Sequence, residues 1–188
     1  IIIYYFIFLF SFFSLFSSGV LDSVDGLQYL AVARNIYYKG EPTAPVYEYN
    51  TRENLHLSSL VGADGKTYSM TGFGYSLTFL PAVFITDIVY KFYSTDPPEH
   101  FPLENDWLIL FTSSFTNSFF GAVLGIILFV YFRFLKLSLK QSLLLSLLSI
   151  VSTNLFVYTK HSFAHMSFIV FMMLAFLLIK YYSIKRYL

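Results

Sequence analysis

Two carboxylates, Asp22 and Asp25, stand three residues apart immediately after an uninterrupted apolar run, residues 1–20. A charge at that depth is costly unless it is paired or used. A carboxylate partly desolvated beside a bilayer can take a proton from an attacking hydroxyl or amine, which is general-base chemistry. The same residues also suit helix capping. With Asp22 as N-cap and Asp25 at the third helical position, both acids would favour the helix dipole. A second pair, His161 and His165, is four apart. On one helical face that pair could share a divalent metal ion or a phosphate, or simply form an interfacial polar pair.

Composition says which elements must position these groups. The 188 residues are 56% hydrophobic and 12% charged, which is a membrane composition. With 23 Phe and 16 Tyr, aromatics suit lipid contact and interfacial belts. Cysteine is absent, so neither a disulfide frame nor a thiolate metal site is available. The sequence opens on Ile1 and its last apolar run ends close to Leu188, which suggests a piece of a longer chain.

The net charge of +1 conceals a segregation: all 11 Asp and Glu lie between Asp22 and Asp106. Beyond Asp106 the charged side chains are Arg133, Lys136, Lys140, Lys160, Lys180, Lys185 and Arg186. Four spans are expected, at residues 1–20, 107–132, 142–158 and 163–181, since roughly 20 apolar residues cross the hydrocarbon. Residues 1–20 also read as a signal peptide, with Ser17-Ser18-Gly19 at its end. Residues 75–93 are apolar but carry Pro81, Asp87 and Lys91. If that stretch spans, the basic residues 133–140 fall outside, against the positive-inside tendency. If it lies on the surface, residues 21–106 form one external loop and the basic ends fall inside. The second arrangement is preferred. The expected architecture is an all-α polytopic membrane protein with a large external first loop of surface helices and a small β-hairpin.

Within that loop, residues 23–39 repeat apolar positions at helical spacing and Gly40 is a plausible stop. Residues 54–70 read as a hairpin whose turn is Gly62-Ala63-Asp64-Gly65. Asn117 and Asn154, inside expected spans, suit interhelical hydrogen bonds. Trp107, Tyr68 and Tyr75 suit interface anchoring. No glycine loop for nucleotides, hydrolase triad or nucleic-acid patch is evident.

One span, an immediate acidic motif, a long external loop and closely spaced spans together resemble the N-terminal module of the GT-C membrane glycosyltransferases. The protein O-mannosyltransferases and the aminoarabinose transferases of lipid A are the relatives in question. Their first loop opens with an acid, then a Tyr or His four residues on, then a small-residue helix. Here that reads Asp25-Gly26-Leu27-Gln28-Tyr29, followed by Ala31 and Ala33. Gly65-Lys66-Thr67-Tyr68, Gly72-Phe73-Gly74-Tyr75 and Leu80-Pro81 match later elements. Gly26 departs from the usual second acid. The resemblance implies sugar transfer from a polyprenyl-phosphate donor to a lipid, glycan or protein acceptor, at the plasma (inner) membrane. It implies Asp25 as base, Asp22 as second acid, and Tyr29 and Tyr68 at the substrate. Arg34, Lys66 and Lys160 would hold the departing phosphate, whose charge cations stabilise. No cofactor is certain; a divalent metal ion is possible. A non-enzymatic reading remains, as a carrier-lipid or polysaccharide transporter subunit dependent on polar residues within spans.

Overall fold

The computed structural model describes residues 1–21, 23–44, 48–51, 54–57, 59–69, 73–93, 106–161 and 164–186. Asp22, the Gly72 of the expected turn motif and most of the acidic stretch before Asp106 lie outside them. In chain order the helices are α1 (Ile2–Ser14), α2 (Val24–Lys39), α3 (Leu80–Phe92), α4 (Trp107–Ser114), α5 (Thr116–Phe134), α6 (Leu139–Val151), α7 (Leu155–Lys160) and α8 (His165–Arg186). The strands are β1 (Glu48–Thr51), β2 (Asn54–Leu57), β3 (Ser59–Val61) and β4 (Thr67–Ser69), and a 3-10 turn over Ser76–Phe79 leads into α3. Helix dominates. The chain divides into two compact units, residues 18–116 and residues 1–17 together with 117–188.

In the unit of residues 18–116, α2 is the central element. Ser23 is its N-cap, with an extended backbone and an Oγ that accepts from the Gly26 amide at 3.0 Å. Lys39 sits in the last turn, and Gly40 ends the helix at φ 70°, a left-handed conformation that costs glycine nothing. Leu30, Ala31, Val32 and Ala33 are buried. This helix packs on the 3-10 turn, on α3 and on β4, while α3 packs on α4. Tyr75, Phe79, Ala82, Val83 and Ile109 complete the core.

The hairpin expected over residues 54–70 is two hairpins. Strand β3 pairs with β4 around the Asp64-Gly65 turn, with Gly65 at φ 77°. Strand β2 instead turns back on β1, with Thr51 opposite Asn54. The ambiguous stretch 75–93 becomes the 3-10 turn and a 13-residue α3 whose Asp87 is buried.

In the other unit, Leu9, Phe13, Ala122, Leu124, Ile127, Ile150, Met166 and Val170 form one cluster. Its tightest contact is a Gly-x-x-x-Gly seam, Gly121 to Gly125, on α5. A Cβ at Gly121 would meet Thr159 Cγ2 at 2.7 Å and Phe13 Cδ2 at 3.1 Å. At Gly125 it would run into Leu9 Cδ1. Small residues at this spacing let helix backbones approach closely. Tyr5 fixes α1 laterally, its hydroxyl 3.0 Å from the Leu143 carbonyl and 2.7 Å from Ser146 Oγ.

Among the described residues, two helical stretches are long and apolar enough to cross a bilayer: the 28 residues Trp107–Phe134, which comprise α4 and α5, and the 18 residues His165–Tyr182. Within the expected helix over residues 1–20, α1 ends at Ser14, with Leu15 as its C-cap. The expected helix over 142–158 is broken between α6 and α7. There the Ser152 hydroxyl donates to the Leu148 carbonyl and Thr153 Oγ1 to the Ser149 carbonyl at 2.9 Å. Thr153 Oγ1 also accepts the Leu155 amide at 3.3 Å. Such local side-chain bonds compete with the helical ladder. Asn154 therefore lies at an exposed break and not inside a helix. Asn117, by contrast, donates from α5 to the carbonyl of His161, which follows the end of α7, so its partner is a chain segment beyond a helix rather than a second helix.

Candidate functional site

The candidate residues divide between the two units. Residues 18–116 carry Asp25, Tyr29, Arg34, Lys66 and Tyr68; the other unit carries Lys160, His161 and His165.

Asp25 occupies the second position of α2, one earlier than expected, because Ser23 is the cap. Its carboxylate is exposed, not partly desolvated. The same helical face continues one turn on with Tyr29. The Tyr29 ring meets Tyr75 edge to face, at 4.7 Å between centroids and 88°, and Tyr75 in turn meets Phe79 at 5.2 Å. The first turn of α2 thus carries an exposed carboxylate one turn before Tyr29, whose ring packs on the buried Tyr75 and, through it, Phe79.

The proposed phosphate cations are not gathered there. Arg34 is nine residues beyond Asp25, which at 3.6 residues per turn places it half a turn round and about 14 Å along the helix. It is 8% exposed. Lys66 pairs with Glu41 at 2.6 Å, and that hydrogen bond, with the Glu41 charge, raises its pKa. Glu41 follows the C-terminal end of α2, about 21 Å of helix rise from Asp25. Tyr68 stays within the hairpin, where its hydroxyl donates to Asp64 Oδ2 at 2.7 Å and lowers the Asp64 pKa.

In the other unit, the Lys160 ammonium lies over the rings of Phe156 and Phe16, 4.2 and 5.3 Å from their centroids. Cations are attracted to ring faces at such distances. The helical metal pair expected of His161 and His165 does not form. His161 follows the end of α7 with an extended backbone, and His165 opens α8, so the two do not share one helix. The His165 ring stacks on Tyr158 at 4.9 Å and 16°. Among the described residues no group of three or more His, Asp or Glu side chains comes together as a metal site.

The most fully built polar cluster lies elsewhere and includes Arg34. Asp87 on α3 is 2% exposed and Asp106, the N-cap of α4, is 3% exposed. Asp87 accepts from Tyr37 at 2.9 Å, Tyr38 at 3.1 Å and Lys91 at 2.7 Å. Burial opposes its ionisation, but the bonds from Lys91, Tyr37 and Tyr38, with the Lys91 charge, outweigh that and hold its carboxyl below the usual range. Asp106 Oδ1 accepts the Tyr90 hydroxyl at 2.7 Å and the Ile109 amide at 3.1 Å. Burial first, then the adjoining carboxylates, push the Tyr38 and Tyr90 phenols up, and the Arg34 charge opposes both shifts.

A carboxylate with three donors on it, held ionised, is a poor proton acceptor and a good tie. The cluster therefore fixes α2 against α3 and the start of α4, and so fixes the helix that carries Asp25. Sequence reasoning missed this role for Asp87, Asp106, Tyr37, Tyr38 and Tyr90. The one local signal was Asp87 with Lys91 at i, i+4 spacing. No protein-family model, curated protein or solved structure matches the chain.

Proposed function

We propose that the protein is a membrane glycosyltransferase that moves a sugar from a polyprenyl-phosphate carrier to an acceptor on the non-cytoplasmic side, with Asp25 as general base. The acceptor hydroxyl or amine gives its proton to the Asp25 carboxylate as its lone pair attacks the anomeric carbon. The bond from that carbon to the carrier phosphate breaks, and the polyprenyl phosphate leaves with the electron pair. Residues 21–106 then lie outside the plasma (inner) membrane.

What supports the reading most is the relation of Ser23 to Asp25. The N-cap role expected of Asp22 is filled by Ser23 Oγ, and Asp25 stays in the first turn of α2, where it also suits the helix dipole. The Asp25 carboxylate is left exposed beside Tyr29, on a helix anchored by buried ties. The two long apolar helices accord with a membrane location. An exposed carboxylate becomes a stronger base only when substrate covers it, so acceptor binding must supply the desolvation.

The test is sugar transfer by the purified chain in detergent, from radiolabelled polyprenyl-phosphate hexose and pentose donors to membrane extract. Transfer is expected, and Asp25→Asn should lower turnover by roughly 10²–10⁴, the usual worth of general-base catalysis. Absence of label transfer from every donor, or equal turnover by Asp25→Asn, overturns the reading.

A further inference from the structure

The end of α5 and the C-terminal half of α8 line an open groove of about 450 Å³, formed by Tyr131, Met173, Phe176, Ile179 and Lys180. Four of the five side chains are apolar or aromatic, and the fifth is a cation. Phe176 and Ile179 are 57% and 66% exposed, so the groove is open along α8. The same end of this unit carries further positive charge. Arg133 lies two residues beyond Tyr131, and exposed Lys136 and Lys140 flank the α5–α6 turn. No Asp or Glu occurs anywhere after Asp106. An apolar trough ending at a cation, within a region without a single acid, complements a molecule with an apolar tail and an anionic head.

We propose that this groove binds one anionic phospholipid, its acyl chain along Met173, Phe176 and Ile179 and its headgroup phosphate on Lys180. Tyr131, whose hydroxyl end is polar, borders the headgroup, and Lys136 and Lys140 add attraction without contact. A long lysine stem reaches from an apolar helix face toward a headgroup at little cost. Juxtamembrane cations are each worth about 1 kcal/mol toward an anionic leaflet, which is roughly five-fold in occupancy. The proposal is independent of the transferase reading.

The experiment is native mass spectrometry of the intact chain in detergent with equimolar phosphatidylglycerol and phosphatidylcholine. The expected result is one retained phosphatidylglycerol, favoured several-fold over phosphatidylcholine. Lys180→Ala should reduce that preference about five-fold, and Lys180→Arg should keep it. Ile179→Trp fills the trough while staying apolar, so it should lower retention of both lipids. Equal retention of the two lipids by the unaltered chain, or a preference untouched by Lys180→Ala, overturns the proposal. So does preferential retention of added polyprenyl phosphate, which would give the groove to the carrier. A lipid-free dimer would give it to a second copy and overturn the proposal equally.

Discussion

The Tyr90 hydroxyl lies 2.7 Å from Asp106 Oδ1, and this bond ties the last turn of α3 to the cap of α4. Asp106 is buried and Tyr90 half-buried, and the acceptor is a carboxylate, so the bond belongs to the stronger class. The Tyr90→Phe variant should lose roughly 1.5–3 kcal/mol of stability. Asp106→Ala should lose more, because it also removes the cap acceptor for the Ile109 amide, typically worth about 1 kcal/mol. Thermal unfolding followed by circular dichroism in one detergent reads both. A neutral Tyr90→Phe would show that the bond adds nothing.

Asp87 makes stability depend on acid pH. Its pKa is lower in the folded chain than the ordinary carboxyl value of about 3.9. The folded state therefore binds fewer protons than the unfolded one, and stability rises with pH across that interval. The contribution is complete above about pH 4 and is lost as pH falls through the lower folded value. The Asp87→Asn variant should be less stable at neutral pH, and the gap to the unaltered chain should narrow below pH 4. A gap constant from pH 7 to pH 2 would remove Asp87 from this role. Lys91 is mostly exposed but its partner Asp87 is buried, so Lys91→Ala should raise the Asp87 pKa and weaken the acid dependence, while Tyr37 and Tyr38 keep part of the tie.

The seam on α5 predicts coupling between two positions. Gly125→Ala drives a methyl into Leu9, costing about 1–3 kcal/mol, and Leu9→Ala leaves a void, costing about 2–5 kcal/mol. Together they partly cancel, because the added methyl occupies space that the truncated side chain vacates. The double variant should therefore lose less than the sum of the single losses. Strict additivity in a double-mutant cycle would mean that α1 does not sit in this groove.

Ser23 and Asp25 should separate stability from activity. Ser23→Ala removes the cap and should cost about 0.5–2 kcal/mol while sugar transfer by the folded fraction continues. Asp25→Asn should do the reverse, retaining stability and losing turnover. If both variants lose stability and neither loses turnover per folded molecule, Asp25 is a helix-dipole residue only.

Much of this was legible wherever one segment carries the whole signal. Helix α2 is marked by its apolar spacing and by Gly40, and the Asp64-Gly65 turn by its chemistry. The long apolar stretches over Trp107–Phe134 and His165–Tyr182 stand out by composition alone. The cap was misread because Asp22 and Ser23 are both good capping residues, and only backbone geometry chooses between them. The break after Val151 was hidden because Ser152 and Thr153 pass for ordinary span residues until their hydroxyls bond the preceding turn. The Asp87 and Asp106 ties were invisible for another reason. Their partners lie as far as 50 positions away in sequence, and no periodicity links tyrosines on one helix to acids on the next. Pairing by charge alone pointed instead at Lys66 and Arg34, which the fold sends to the far end and the far side of α2.

The glycine seam also limits how α1 can move. A helix whose side chains interlock with two notches one turn apart behaves like a key in a keyway. It resists rotation, since turning would swing Leu9 and Phe13 out of their notches and into the bulkier flanks of α5. Sliding is resisted less, and only in steps of a whole turn, each of which would have to unseat both residues together. A pull at Ser17 would therefore reach Tyr5 as an axial displacement with almost no twist, and the Tyr5 bonds to Leu143 and Ser146 would be the first to register it.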